Sequence, residues 1–191
     1  KDACDVGCEQ VQFIGGEPTI HPSLSTLISS ADDLGYKHIE VFTNGIKMSE
    51  DLLETFVEHG VKLAYSFYGP SAEVHEHVTK QKGSFEKTLR NIRKTVSTGL
   101  DVRVGIVSMD ENKDYIDEAK VLLKSAGVEK ISVDYVRGIG RGGDHVKYTD
   151  PMDELCGGCW SGKLAVNSDG DIYPCNLSRF NLVGNISEGL G

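Results

Sequence analysis

What the sequence lacks narrows the field first. No apolar run approaches the ~18 residues that span a bilayer, and no charged-then-apolar leader resembles a secretory signal. Positive charge is in short supply: 20 Lys and Arg stand against 29 Asp and Glu, a formal net charge of −9. The basic residues are scattered along the chain. Phosphate contacts need clustered Lys and Arg, so no nucleic-acid partner is expected, and no membrane partner either. Cysteine is sparse and odd in number, with Cys4, Cys8, Cys156, Cys159 and Cys175 at the two ends and none between. An odd count without a leader fits a disulfide framework badly. It points to a reducing, cytoplasmic compartment, where cysteines bind metal or do redox work. Length excludes two large domains: 191 residues hold one ordinary domain and a small appendage. Glycine, by contrast, is plentiful at 22 residues, above the usual ~7% and without a collagen period, as many tight turns require.

From residue 10 to 136, short β-rich runs alternate with amphipathic stretches. The runs 10–14, 38–43, 62–67, 101–107 and 130–135 are dominated by Val, Ile, Phe and Tyr. Between them, Leu24, Leu27, Ile28, Ala31 and Leu34 keep helical spacing. So do Leu52, Leu53, Phe56 and Val57, then Phe85, Leu89 and Ile92, then Ile116, Ala119, Leu122 and Leu123. Ser49 and Ser84 are N-cap candidates, and Gly35, Gly60, Gly99 and Gly127 each follow a last helical turn. Strands alternating with crossover helices predict right-handed βαβ units and a parallel sheet. Spacing alone leaves an open doubly wound sheet and a barrel both possible. In either case ligands bind beyond the carboxyl ends of the strands. After Tyr135 the sequence turns Gly- and Asp-rich without an apolar period, which predicts domains at 1–145 and 146–191.

The first strand runs into Gly15-Gly16-Glu17-Pro18. Two glycines admit a ligand close to the backbone, Glu17 offers a carboxylate to an ammonium group, and Pro18 stiffens the turn. The second strand ends in Thr43-Asn44-Gly45 and the third in Ser66-Phe67-Tyr68-Gly69-Pro70. Each is also what an ordinary loop looks like. Together, VQFIGGEPTIHP, a strand ending in TNG, then YSFYGP and a helix entered through GSF resemble the radical S-adenosylmethionine (SAM) enzymes from their second strand onward. The resemblance covers nearly the whole chain. It implies an α/β fold: a partial (β/α)6 barrel with the first strand missing, followed by a small Cys-rich β-hairpin extension. It assigns Gly15, Gly16 and Glu17 to the SAM amino group, with Pro18 shaping the loop. Ser66 falls to the SAM ribose or carboxylate, and Thr43 and Asn44 to the same rim.

The resemblance also implies a C-x3-C-x2-C triplet holding a [4Fe–4S] cluster, and this chain has none. Cys4 and Cys8 have the first spacing, but Val11 stands at the third position, and both are expected to be core-facing thiols ahead of a strand. The cluster loop is expected upstream of Lys1. Gly138-Ile139-Gly140-Arg141-Gly142-Gly143 satisfies the dinucleotide pattern G-x-G-x-x-G, yet no helical period follows it. A connector is the better reading. Arg137 and Arg141 reach toward an anionic ligand or are solvated charges.

Cys156-Gly157-Gly158-Cys159 is C-x2-C, and an Asp169-Gly170 turn signal between 163–166 and 171–173 predicts a hairpin that returns Cys175 to the pair. Three convergent thiolates make a metal site, tetrahedral zinc or iron–sulfur. The rival is a thioredoxin-type thiol–disulfide oxidoreductase, but its C-x2-C opens a helix, and here it opens a hairpin. Cys159-x10-Gly170-x4-Cys175 also resembles the opening of the SPASM domain and its shorter relative, the twitch domain, which carry auxiliary [4Fe–4S] clusters in peptide-modifying radical SAM enzymes. The resemblance implies an oxidoreductase that cleaves SAM reductively to a 5′-deoxyadenosyl radical and abstracts hydrogen from a peptide or protein substrate. It implies an electron donor such as flavodoxin or ferredoxin. A non-catalytic peptide-binding module with a structural zinc is the alternative from another class.

Overall fold

The structure, a computed structural model, describes residues 1–138, 143, 150–159 and 162–189. It divides into two compact units, Gly7–Tyr135 in one and Lys1–Val6 with Val136–Gly191 in the other. No helix among the described residues is long and apolar enough to cross a membrane.

The larger unit is a parallel sheet with crossover helices. Its strands are β1 (Gln10–Phe13), β2 (His38–Thr43), β3 (Lys62–Phe67), β4 (Val102–Ser108) and β5 (Lys130–Tyr135). They lie side by side in chain order, every pair parallel. A doubly wound sheet reverses its strand order at a switch point. The unbroken order here is barrel winding, which settles what spacing left open. The helices are α2 (Leu24–Asp33), α3 (Glu50–Glu58), α4 (Ala72–Thr79), α5 (Ser84–Ser97) and α6 (Ile116–Ser125); the single turn α1 (Asp2–Asp5) belongs to the other unit. Ser49 caps α3 by accepting a hydrogen bond from the Leu52 N–H at 3.2 Å, as its position predicted.

Alternation sets the two faces of the sheet. Ile39 and Val41, Leu63, Tyr65 and Phe67, and Val102, Val104 and Ile106 pack with Ile28, Phe56, Leu89, Ile92 and Leu123 in one core. The intervening residues Gln12, Glu40, Phe42, Ala64, Ser66, Arg103, Gly105 and Ser132 therefore share the opposite, concave face. Small side chains are aligned there, since Ser66 pairs in register with Gly105 and Gly105 with Ser132.

Two local expectations are corrected. Ser84 does not cap α5: Gly83, at φ 77°, takes the cap position. The Ser84 hydroxyl lies buried against His75 Nδ1 at 3.1 Å and Thr79 Oγ1 at 2.8 Å. The helix α4 was not expected at all. Cys4 and Cys8 are half-buried and not core residues.

In the smaller unit β6 (Ala165–Val166), β7 (Asp171–Tyr173) and β8 (Gly184–Asn185) form an antiparallel sheet. The expected hairpin is present, with a third strand added. Asn167 organises its turn, its Oδ1 accepting from the N–H groups of Asp169 and Asp171 at 2.9 and 2.8 Å. Asn185 Nδ2 donates to Asp169 O at 3.1 Å and Asp171 Oδ1 at 3.0 Å. The G-x-G-x-x-G segment, Arg141 included, lies mostly outside the described residues.

Candidate functional site

Gly15 and Gly16 leave β1 with φ of 88° and 45°, the left-handed region in which a Cβ is strained. This sharp exit, followed by buried Pro18 in a 3-10 turn, aims the Glu17 carboxylate at the end of the neighbouring strand. Its Oε1 accepts from Thr43 Oγ1 at 2.5 Å, Thr19 Oγ1 at 2.8 Å and Thr19 N at 3.1 Å. Its Oε2 accepts from the Asn44 N–H at 2.7 Å. The ends of β1 and β2 are thus tied through one half-buried anion: of the residues assigned there, Glu17, Thr43 and Asn44 meet in this network, and Gly15, Gly16 and Pro18 form the loop that carries Glu17.

The loop after β2 is in turn held from α5. Thr88 Oγ1 donates to Asn44 O at 2.8 Å, and Asn91 Nδ2 donates to Gly45 O at 2.7 Å. Thr95 Oγ1 lies 2.7 Å from the Tyr65 hydroxyl. Burial pushes the Tyr65 phenol up to about 12, with the negative charge of Glu17 adding to it. Thr88, Asn91 and Thr95 recur at helical spacing on the buried face of α5. They were missed in the sequence, and the available signal was three polar residues set into an apolar stripe.

Ser66 lies half-buried at the end of β3 on the concave face, one strand removed from Thr43. No contact ties it to Glu17. Lower on the same face, Arg103 reaches across β3 to Glu40, donating from Nε at 2.7 Å and from a terminal nitrogen at 2.8 Å. Ala64, small and in register beside Arg103, leaves room for this bridge. Gln12 completes it with a hydrogen bond to Glu40. Burial would raise the Glu40 carboxyl, but the hydrogen bonds and charge of Arg103 outweigh it and hold it below its ordinary value. At the rim, Asn112 Nδ2 donates to Tyr68 O and Val107 O, both at 2.9 Å, joining the ends of β3 and β4. A shallow groove of about 420 Å³ runs along α3, lined by Glu50, Leu53, Glu54, Val57, Glu58 and Thr98. It contains none of the candidate residues.

In the smaller unit, the hairpin places the sulfurs of Cys159 and Cys175 3.8 Å apart. Cys156 is exposed and stands outside this pair. Among the described residues, no three His, Cys, Asp or Glu side chains are grouped to hold a metal ion. Cys159 and Cys175 are therefore brought into sulfur contact, and Cys156 lies outside that contact while its charge still acts on the Cys159 thiol. Desolvation and the neighbouring sulfurs push Cys159 up. At Cys175 desolvation is outweighed by hydrogen bonds from Ser178 and the Leu177 N–H, which lower it. Soft thiolates in this pattern suit zinc or iron–sulfur chemistry.

Comparison with known proteins agrees with this architecture. The Radical SAM superfamily profile matches residues 1–123. The Bacillus subtilis antilisterial bacteriocin subtilosin biosynthesis protein AlbA is 27% identical over 95% of this chain and 48% of its own length. A 7,8-dihydro-6-hydroxymethylpterin dimethyltransferase of Methanocaldococcus jannaschii is 29% identical over 75% of this chain and 28% of its own length. Among solved structures, Streptococcus suis SuiB bound to S-adenosylmethionine superposes with a TM-score of 0.79 at 16% identity, over 99% of this chain and 55% of SuiB. At that identity the likeness is one of fold. The chain spans about half the length of AlbA and SuiB. With the profile covering well over half of the chain and its sheet wound in barrel order, this chain belongs to the radical SAM superfamily, whose enzymes use S-adenosylmethionine and a [4Fe–4S] cluster.

Proposed function

We propose that the chain is the SAM-binding part of a radical SAM/SPASM-type oxidoreductase that modifies a ribosomally made peptide or protein. The observation that carries the reading is the Glu17 carboxylate, fixed by hydrogen bonds from Thr19, Thr43 and Asn44 at the strand ends. An anion held in place by its own loop loses little freedom on meeting an ammonium group, so it suits the amino group of SAM. Gly15 and Gly16, exposed and bare, let the ligand approach the backbone. Thr43 and Asn44 hold Glu17, and Ser66 offers a hydroxyl to the ribose or carboxylate. When bound, SAM and a reduced [4Fe–4S] cluster supply a 5′-deoxyadenosyl radical that removes a substrate hydrogen atom. A peptide substrate is supported by AlbA, a bacteriocin biosynthesis protein, and by SuiB, solved with its precursor peptide SuiA. A flavodoxin- or ferredoxin-like donor in the cytoplasm completes the reading. So do the boundary near residue 145 and the assignment of Cys156, Cys159 and Cys175 as ligands of an auxiliary cluster.

Titrating SAM into the isotope-labelled chain tests the site. Amide shifts are expected at Gly16, Asn44 and Ser66, and Glu17→Ala should weaken binding by at least about tenfold, as loss of a charged hydrogen bond implies. Shifts elsewhere, or unchanged binding in Glu17→Ala, would sink the assignment. The 191 residues contain no C-x3-C-x2-C set and are expected to release no 5′-deoxyadenosine from SAM by themselves; its detection would refute that. Iron with sulfide in anaerobically purified protein supports the auxiliary-cluster reading, and zinc alone supports a structural metal in a binding module.

A further inference from the structure

The C-x2-C spacing of Cys156 and Cys159 is that of redox dithiols, which form their disulfide within the motif. The fold pairs the sulfurs differently. Cys159 Sγ lies 3.8 Å from Cys175 Sγ, about 1.8 Å beyond the ~2.04 Å of an S–S bond. The two sulfurs are thus already near van der Waals contact, and neither cysteine belongs to the paired positions of the hairpin. Cys175 is held in place: its N–H donates to Ser178 Oγ at 3.0 Å, and that hydroxyl donates back to Cys175 O at 3.0 Å. Cys156 is exposed and acts on Cys159 through its charge, whereas the sulfur contact is between Cys159 and Cys175.

We propose that the metal-free chain forms its disulfide between Cys159 and Cys175, across the hairpin, and not within the C-x2-C motif. With a small-molecule disulfide such as oxidised glutathione as oxidant, one protein thiolate attacks it, forming a mixed disulfide and releasing the first glutathione thiolate. The second protein thiolate then attacks the mixed disulfide and expels the other. The pair gives up two electrons and two protons, and one oxidised glutathione becomes two thiols. If the three cysteines are also metal ligands, a consequence that rests on the function proposed above, the cross-link withdraws two of them and loading requires prior reduction.

The test is a disulfide map of the 191-residue chain, stripped of metal under reductant, oxidised in glutathione buffer, alkylated and cleaved with trypsin. Cys156 and Cys159 fall in one peptide, 148–163, and Cys175 in the next, 164–179. The expected product is the two peptides joined, with Cys156 alkylated and fragmentation placing the bond at Cys159. Cys156→Ser should retain the joined species. A bond within peptide 148–163, loss of the joined species in Cys156→Ser, or free thiols throughout would overturn the proposal. Reconstitution with iron and sulfide, followed by alkylation with the oxidation step left out, separates the ligand reading: Cys159 and Cys175 protected from alkylation relative to the reduced metal-free chain supports it. Equal alkylation, with the cross-link intact in the metal-free chain, refutes that reading alone.

Discussion

At Gly45 the backbone has φ of 71°, and an added Cβ would stand 2.7 Å from Tyr65 Cδ1 and 3.2 Å from Thr88 Cγ2. The ring has nowhere to go, since Tyr65 is fully buried with its hydroxyl on Thr95. Gly45→Ala combines left-handed strain with overpacking and should cost about 2–4 kcal/mol, read as a lower urea midpoint at unchanged slope. The turn at Thr43-Asn44-Gly45 was legible in the sequence; the contact with Tyr65, 20 residues on, was not, because it depends on how strands pair. His75 was equally invisible, since Ala-Glu-Val-His-Glu-His reads as a solvated stretch. It is 1% exposed, ringed by Phe67, Tyr68 and Phe85, with no partner for Nε2. Burial lowers its pKa to about 4. Between that value and the ordinary ~6.5 the unfolded chain binds the proton and the folded chain does not, so stability falls as pH drops through this window. The loss amounts to up to roughly 3 kcal/mol by pH 4. His75→Phe should flatten that limb of a stability-versus-pH curve; an unchanged slope would show that another group carries it.

Among elements, β2, β3 and β5 fall where alternation and punctuation placed them, and β1 and β4 differ only at their ends. The helix α4 escaped because Val74 and His75 are its only fully buried residues, too few for an apolar period. Ser84 was misread as a cap because its hydroxyl is drawn into a core no local pattern describes. The same holds for the concave face, where the Glu40–Arg103 bridge joins β2 to β4 over β3. Side-chain exposure of 19% for Glu40 and 42% for Arg103 keeps its contribution modest, because water screens the open side. A double-mutant cycle with Glu40→Gln and Arg103→Met should give a coupling of about 1 kcal/mol, reduced in ~1 M salt, where the screening length is ~3 Å. A coupling of zero at low salt would mean that the bridge does not fasten the two strands.

Across the whole molecule the two units rest on different physics. The larger buries some two dozen apolar side chains in one core, enough to fold by burial and packing. In the smaller, Ile172, at 5% exposed, and Pro174 are the buried apolar side chains among the described residues, while Leu164, Val166, Phe180, Leu182 and Ile186 stand exposed. Asn167 and Asn185 organise its turns well, but turn hydrogen bonds are worth only ~1 kcal/mol each and do not offset the ordering of some thirty residues. A unit so poor in core depends on a staple, either metal on its thiols or the Cys159–Cys175 cross-link. In the reduced, metal-free chain the Val183 and Ile186 amides, which donate to Ile172 O and Gly170 O, should therefore exchange hydrogen at least about 100-fold faster than the Leu63 amide in the main sheet. Metal or oxidation should slow them and leave Leu63 unchanged. Equal protection under reduced, metal-free conditions would show that the hairpin folds without either staple.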